Sequence, residues 1–351
     1  MAASHLIFLG TYTRSTSKGI YALRLDGETG ALSAPILAAE ATSPAWIALS
    51  PDRRFLYAIH ESQAQAIGFS VDARNARLTP LPAATSPAAS APSHLAVDAT
   101  GRVLLAANYR DGYVSALPIR GDGTLGAPNK ISHTGSGPHP TRQEKPHVHS
   151  VTVSPDNRFV IVADLGVDKI FSYALDPAKA LLAPAEVPFV AAEPGAGPRH
   201  FKFGADGRQA YAINELANTI TAFDYDPRRG ALTPRQSVPT LPADFQGAST
   251  TAEVRVHPNG KFVYGSNRGH DSIAVFAVAR ATGLLSPVQT ISSGGKTPRN
   301  FALSPDGRWL ICGHQDSDEL TVFSVDPATG RLQPTPHRAK VPMCVCVLFY
   351  D

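Results

Sequence analysis

A hairpin-like phrase recurs six times along the chain, at intervals of about 50 residues. Each copy places a tight turn of the Pro-Asp, Asp-Gly or Asn-Gly type between two apolar runs, which is typical of a β-hairpin. The copies read SPDRRFLYAIHE, DATGRVLLAANY, SPDNRFVIVADL, GADGRQAYAINE, HPNGKFVYGSNR and SPDGRWLICGHQ. A chain with this repeat is therefore built from similar β units.

A second turn phrase follows each hairpin, and it occurs seven times. Its copies read LDGETGAL, VDARNARL, IRGDGTLG, LDPAKALL, YDPRRGAL, VARATGLL and VDPATGRL. A period of this length with four short strands per unit is typical of a β-propeller, whose units bury their faces only against neighbours. With 30 Pro and 28 Gly residues, the composition also favours short strands joined by turns over long helices.

The hairpin missing from the first count is divided between the two ends of the sequence. HLIFLGTYT matches the second strand of the hairpin phrase, and VPMCVCVLFYD matches its first strand. We therefore predict an all-β, seven-bladed propeller with four antiparallel strands per blade, formed as a single domain over residues 1–351. One blade shares N- and C-terminal strands, which closes the ring and leaves no open edge. The alternative is an open β array of two domains.

Charge, hydropathy and cysteine usage argue against several classes of protein. Basic residues exceed acidic ones by 32 − 29 = 3, with no long run of one sign, which argues against nucleic acid. No apolar stretch approaches the roughly 20 residues of a membrane span, and the N-terminal residues do not resemble a signal peptide. Cys312, Cys344 and Cys346 are too few for a disulfide framework, so we expect packing roles and a cytoplasmic protein.

Polar side chains converge on one predicted rim of the ring, where each innermost strand begins and each second strand ends. Asn108, Asp164, Asn214 and Asn267 repeat at one position of the unit and are predicted to bind neighbouring turns. Other polar residues at the rim differ from blade to blade, which indicates a pocket rather than a repeated structural role. They are Glu61, His94, His149, Arg199, His200, Glu215, Glu253, Arg268, Arg299 and Gln315.

The segment SHTGSGPHPTRQEKPH, residues 132–147, is an insertion in front of the strand that carries His149. We expect it to cap the pocket. His147 and His149 share a face of that strand, but a metal site needs three or four ligands, and surrounding arginines disfavour a cation. We expect no metal there, and we expect His133, His139 and His257 to be surface or turn residues.

Several arginines facing two glutamates and a histidine suit a small anionic substrate. The guanidinium fork matches phosphate or carboxylate, and a Glu or His can act as a general base. The sequence lacks a nucleophile elbow, a phosphate-binding glycine loop and a dinucleotide fingerprint. Attack by an activated water is then the simplest chemistry, and esters and lactones are its natural substrates.

Six phrases of the chain together resemble the seven-bladed propeller lactonase family over nearly the whole length. They read LGTYT, PHVHSV, GPRHFKF, YAINEL, VHPNGKFVYGSNRGHDSIAVF and TPRNFALSPDGRWL. The family includes cycloisomerase-type 6-phosphogluconolactonases and fungal carboxy-cis,cis-muconate lactonizing enzymes. In the muconate enzymes a His, two Arg and a Glu are assigned to the active site. By motif these match His149, Arg199, Glu215 and Arg268, which also belong to the polar set above.

The resemblance implies an enzyme that hydrolyses 6-phosphoglucono-δ-lactone to 6-phosphogluconate, a step of the pentose phosphate pathway. It implies no metal and no cofactor. Glu215 or His149 would deprotonate the water, Arg199 would stabilise the carbonyl oxygen, and Arg268 with Arg299 would hold the phosphate. The remaining alternatives are an unphosphorylated sugar lactone, muconate cycloisomerisation, or a propeller that only binds a partner. We expect a monomer, since a closed ring needs no partner.

Overall fold

The computed structural model describes residues 4–60, 65–82 and 92–350. Within these residues, twenty-eight strands form seven four-stranded antiparallel sheets arranged as the blades of a propeller. The predicted fold class is therefore confirmed. Glu61, which the sequence places at the rim, lies outside the described residues.

Each blade contributes one strand to each of four concentric positions. The innermost strands are Ile47–Leu49 (β4), Pro92–Val97 (β8), Val148–Val153 (β12), Pro198–Phe203 (β16), Thr250–Val256 (β20), Pro298–Leu303 (β24) and Cys344–Phe349 (β28). The second strands are Phe55–His60 (β5), Val103–Asn108 (β9), Phe159–Asp164 (β13), Gln209–Asn214 (β17), Phe262–Arg268 (β21), Trp309–His314 (β25) and Ser4–Thr11 (β1).

The outermost strands are the more exposed ones, and they vary most in length. The third strands are Gln65–Asp72 (β6), Tyr113–Pro118 (β10), Lys169–Asp176 (β14), Thr219–Asp226 (β18), Ser272–Val278 (β22), Glu319–Val325 (β26) and Gly19–Asp26 (β2). The outermost strands are Arg77–Pro80 (β7), Asn129–Ser132 (β11), Leu181–Ala191 (β15), Ala231–Pro239 (β19), Leu285–Ser292 (β23), Leu332–Lys340 (β27) and Ile36–Glu40 (β3).

The turn inside each hairpin explains why the Ser-Pro-Asp phrase repeats. Ser154 Oγ donates to Asp156 Oδ1 at 2.6 Å and accepts from the backbone N–H of Phe159 at 2.9 Å. The left-handed position of this turn is held by Asn157, with φ 59°, and by Gly307 in the corresponding turn of a later blade, with φ 74°. Asn and Gly tolerate that conformation, so the turn chemistry sets the hairpin locally.

The ring closes as the sequence predicts. Strand β28 pairs antiparallel with β1, with Phe8 opposite Leu348 and Thr11 opposite Cys344. The blade that contains them has the order β28-β1-β2-β3, so its innermost strand comes from the C-terminal part of the chain. Cys344 is a buried free thiol in this blade, in agreement with the packing role expected for it.

A repeated hydrogen bond ties neighbouring blades together, in addition to their apolar packing. An aromatic side chain of the second strand donates to a carbonyl in the outer turn of the next blade. Tyr57 Oη reaches Gly123 O at 3.0 Å, and Tyr211 Oη reaches Gly283 O at 3.0 Å. Trp309 uses its indole N–H in the same way. Both the apolar packing and these bonds fix each blade relative to its neighbour.

Candidate active site

A cavity of about 360 Å³ opens at the rim where the innermost strands begin. Its wall combines aromatic rings with an excess of arginine. The lining residues are Tyr12, Ala45, Trp46, Ile59, Pro92, Ser93, Tyr109, Arg110, Arg142, His149, Arg199, His200, Glu215, Thr250, Arg268, Arg299 and Val345. Glu215 is the one carboxylate among these described residues, so the pocket carries net positive charge and suits an anion.

β-Bulges at the start of the innermost strands aim the pocket side chains. In β12, Val148 pairs with Asp164 and Ser150 pairs with Ala163, so His149 is an extra residue without a partner opposite. Arg199 in β16 and Arg299 in β24 occupy the same bulge position. A bulge bends the strand and redirects the extra side chain. The pocket wall is thus built from bulged residues of separate blades.

Glu215 follows directly after β17 and is 3% exposed, at the centre of the positive groups. Its Oε2 accepts from Arg199 Nε at 2.7 Å and lies 3.1 Å from Arg268 Nη2, while Oε1 pairs with Arg142. Burial alone would raise the pKa of this carboxyl, but the nearby guanidiniums outweigh burial and hold the pKa well below its usual range. Glu215 is therefore ionised, and both of its carboxylate oxygens are already paired with arginines.

A buried chain of hydrogen bonds through His200 to Glu253 fixes the guanidinium of Arg199. Arg199 Nη1 lies 3.2 Å from His200 Nε2, and His200 Nδ1 lies 3.1 Å from Glu253 Oε2. If Arg199 donates to Nε2, His200 carries its proton on Nδ1 and donates it to Glu253. Burial lowers the pKa of His200 well below the ordinary value, in keeping with this neutral form.

Arg199 remains a cation in this setting. Burial, followed by the charge of Arg268, lowers its pKa to about 9, which still leaves it protonated at neutral pH. Its Nη1 also donates to the carbonyl of Ala252, whereas Nη2 makes no hydrogen bond within the described part of the chain. Arg199 is thus fixed on one side and has a donor left for a ligand.

The inserted segment does cap the pocket, and it contributes a residue that the sequence analysis missed. Arg142 reaches from this segment to Glu215 and approaches Tyr109 Oη at 3.4 Å. The adjacent Gln143 is fully buried, and its Nε2 donates to Leu165 O at 2.8 Å and to Asp168 Oδ1 at 2.7 Å. The buried amide anchors the segment and so positions the guanidinium beside it.

His149 is a titratable group of the wall that makes no close hydrogen bond to Glu215. Its Nε2 lies 3.8 Å from Glu215 Oε2, beyond a direct hydrogen bond, and its buried Nδ1 has no partner among the described residues. Burial and then the charge of Arg199 lower its pKa well below 6.5, so it is neutral at pH 7. A neutral imidazole with an unused nitrogen can accept a proton.

Arg268 and Arg299 face the outer part of the cavity. Arg268 Nη2 donates to Thr251 O at 2.8 Å, while its buried Nε has no partner in the described chain. Arg299 lies over the ring of Tyr12, with 5.6 Å from its guanidinium carbon to the ring centroid. Within the described residues Arg299 forms no ion pair with a carboxylate, so its charge is available to an anionic group.

Three predicted site residues do not reach the pocket wall. His94 and Glu253 lie beneath it, 3% and 0% exposed, since they follow the bulge and point down the central channel. Gln315 lies beside Arg299, at 3.5 Å from its Nη1, but does not line the cavity. His149, Arg199, His200, Glu215, Arg268 and Arg299 are brought together as expected.

The repeated rim residues have the structural roles expected of them, but one histidine was misjudged. Asn108 donates to Tyr113 O, and Asn267 donates to Thr240 O. His133 was expected at the surface or in a turn, yet it is buried and its Nδ1 lies 2.6 Å from Asp164 Oδ2. The prediction failed because the partner of His133 is 31 residues away in sequence and leaves no local signal.

Two other kinds of site have no basis in the described residues. They contain no cluster of three or more His, Cys, Asp or Glu side chains placed to hold a metal ion. They also contain no helix with the length and apolar character needed to cross a membrane.

Comparison with known proteins agrees with the fold. The family model described as "Lactonase, 7-bladed beta-propeller" matches residues 6–349. A 6-phosphogluconolactonase of Bacillus subtilis is 39% identical over 297 residues, which cover 84% of this chain and 83% of the relative. The structure of the Pseudomonas aeruginosa periplasmic gluconolactonase superimposes with a TM-score of 0.92 and 34% identity, covering 99% of each chain. A Lactobacillus plantarum protein gives the same three values.

The chain belongs to the seven-bladed β-propeller lactonase family. The resemblance drawn from the sequence motifs is thereby confirmed, as is the expectation of a lactone-hydrolysing enzyme.

Proposed function

We propose that the protein hydrolyses 6-phosphoglucono-δ-lactone to 6-phosphogluconate by direct attack of water. The observation that carries this proposal is the juxtaposition of neutral His149 with one carboxylate, Glu215, and the three arginines that pair with it. A phosphorylated lactone brings an anionic group for the arginines and a carbonyl for the water. Relatives named 6-phosphogluconolactonase support the choice of substrate.

In the proposed mechanism His149 removes a proton from the attacking water. Glu215 is the weaker candidate for this role, because three arginines engage its oxygens and hold its pKa low. The hydroxide adds to the lactone carbonyl carbon, and the free Nη2 of Arg199 stabilises the oxyanion, worth roughly 10²–10³ in rate. The ring C–O bond then breaks, and the proton held by His149 passes to the departing ring oxygen. The product is an open-chain carboxylic acid, which loses its remaining proton to solvent and leaves as a carboxylate.

The phosphate would lie against Arg268 and Arg299 at the outer part of the cavity. Arg299 has no carboxylate partner within the described residues, and Tyr12 supports its guanidinium from one side. An anionic phosphate in this position would gain charge-assisted hydrogen bonds. Glu215 would not contact the substrate in this mechanism, since its role is to hold Arg142, Arg199 and Arg268 in one geometry.

A second candidate substrate is the unphosphorylated sugar lactone. The neighbour from Pseudomonas aeruginosa is named a gluconolactonase, and its fold covers 99% of this chain. The arginines would then bind hydroxyl groups instead of a phosphate, which would use their charge poorly.

The test is lactone hydrolysis by purified protein, with 6-phosphogluconolactone generated in place and its loss followed against the spontaneous background. Glucono-δ-lactone is the parallel substrate, and Arg299→Gln is the variant. The proposal expects faster turnover of the phosphorylated lactone and an increase in KM for that lactone alone in the variant. Equal kcat/KM for both lactones would favour the second candidate, and no acceleration of either would reject the proposal.

The proposed reaction needs no metal, because water activation is assigned to His149 and charge stabilisation to arginines. Extensive dialysis against a chelator should leave kcat/KM unchanged, whereas a lasting loss restored by a divalent cation would contradict the mechanism. Action as a monomer and a cytoplasmic location are further parts of the proposal. Three buried free thiols support that location, and the periplasmic relative offers the contrasting case.

A further inference from the structure

The central channel contains a second cavity on the opposite side of the propeller from the pocket. Its volume is about 480 Å³, and it is lined by the innermost strands beyond the bulged residues. The rings of Trp46, His94 and His200 fill the channel between the two cavities, with centroid separations of 4.0 to 5.3 Å. The second cavity is therefore a separate space, and apart from Trp46, which borders both cavities, its lining groups are its own.

The side chains that line this cavity follow from strand alternation. Residues two positions beyond His200 and Glu253 point the same way down the channel, and they are Lys202 and Arg255. The corresponding residue of the blade with Trp46 is Ala48, whose small side chain leaves room. Two adjacent blades thus present cations to an open space.

Neither cation is fully neutralised by the protein. Arg255 Nε lies 3.4 Å from Glu253 Oε1, but the other oxygen of that carboxylate is within hydrogen-bond distance of His200 and Asn300. Lys202 forms no ion pair within the described residues. Burial, followed by the charge of Arg255, lowers the pKa of Lys202 to about 8, while the charge of Glu253 acts in the opposite direction.

A second, independent observation points to a ligand in the same place. His94 lines this cavity and is 3% exposed, yet both of its ring nitrogens lack a hydrogen-bond partner among the described residues. A neutral imidazole offers one donor and one acceptor, and burying both unpaired is costly. An oxyanion between Lys202, Arg255 and the ring of His94 would accept from all three groups.

We propose that the channel cavity lined by Lys202, Arg255 and His94 is a second anion site, which binds a small oxyanion such as phosphate or a short dicarboxylate. The site is distinct from the lactone pocket and does not depend on the proposed lactonase substrate. A bound anion would supply the counter-charge that the two cations lack and satisfy the imidazole of His94.

Isothermal titration with inorganic phosphate tests this assignment, with malonate as a second probe. Wild-type protein, Lys202→Gln and Arg299→Gln are compared. We expect Lys202→Gln to lose one binding event, or to weaken it by at least about tenfold, while its lactone hydrolysis stays within about twofold of wild type. Arg299→Gln, altered in the other cavity, should retain that event. Lys202→Met serves as a second variant if the glutamine disturbs folding.

Crystals soaked in selenate locate the bound anion through its anomalous signal. A peak within hydrogen-bond distance of Lys202 and Arg255 would support the site. If wild type and both Lys202 variants titrate alike with phosphate and with malonate, the site does not exist as proposed. Binding of malonate alone would retain the site and identify its ligand as a carboxylate. A loss of lactone hydrolysis in Arg299→Gln would concern only the other cavity, so the two proposals fail separately.

Discussion

Glu215 accepts a hydrogen bond from Arg199 Nε at 2.7 Å in a position where both side chains are almost completely buried. Two further arginines approach the same carboxylate, one of them from the inserted segment. A single anion thus sets the geometry of three cations that would otherwise repel one another. The carboxylate is the centre of the site even though no step of the proposed reaction requires it to change charge.

Glu215→Gln should therefore damage both activity and stability. The amide cannot neutralise three guanidiniums, so we expect kcat/KM to fall by about 10² or more and the free energy of unfolding to fall by roughly 3–5 kcal/mol. Steady-state kinetics and urea unfolding measure the two effects. Glu319→Gln is the matched control, because it removes an exposed pair with Arg338 worth about 0–1 kcal/mol. Full activity in Glu215→Gln would contradict the assigned role.

His149→Gln should lower kcat by about 10²–10⁴ with little change in KM, since the side chain is assigned to proton removal. Burial lowers the pKa of His149, so the wild-type base stays active below pH 6.5 and the acid limb of kcat/KM lies below that value. The variant should lack this limb. Rates from roughly pH 5 to pH 8 test the point. His337→Gln, on the outermost strand β27, is the control, and an unchanged acid limb in His149→Gln would assign the proton transfer elsewhere.

Gln143 should act on the reaction only through Arg142. Gln143→Ala leaves the Leu165 carbonyl and the Asp168 carboxylate without their donor, which costs about 1–3 kcal/mol and releases the segment. We expect lower kcat/KM in Gln143→Ala and in Arg142→Ala, and a double variant scarcely worse than Arg142→Ala. Glu144→Gln, in the same segment, should stay within about twofold of wild type. Multiplicative losses in the double variant would show that Gln143 acts independently.

The protein should lose stability as the pH falls below about 6.5. His94, His149 and His200 have folded-state pKa values lowered by burial, so below pH 6.5 the unfolded chain binds more protons than the folded one. Each histidine then contributes a slope of up to about 1.4 kcal/mol per pH unit. Urea midpoints at a series of pH values measure the slope. His94→Phe should reduce it, and stability that is constant or rises toward acid would contradict the neutral assignments.

The repeat predicted the propeller because hairpin turns are encoded locally. Ser154, Asp156 and Asn157 form their turn from neighbours in sequence, so the unit and its period are visible without tertiary information. The split blade was predicted for the same reason, since each half keeps the hairpin pattern. Packing between blades stabilises the folded ring, but the number of blades is already set by the number of hairpin turns in the sequence.

The wall of the pocket was predicted only in part, because it depends on strand register. Arg199 and His200 are adjacent in sequence and both border the cavity, yet the bulge decides that Arg199 faces the upper wall while His200 packs into the ring layer across the channel. A bulge is a property of the paired strands and leaves no pattern in one strand. His94 and Glu253 were assigned to the substrate for that reason. Arg142 escaped notice because its segment is irregular and its anchor, Gln143, contacts residues more than 20 positions away.

The layer of Trp46, His94 and His200 across the channel has a consequence for the order of events in turnover. Because these rings fill the channel, a lactone can enter the pocket only from the rim, and the product must leave through the same opening. A second substrate molecule therefore cannot enter the pocket until the product has left it. Arg142 of the inserted segment lines the same cavity, so a ligand that enters or leaves by this opening shares the space with that guanidinium.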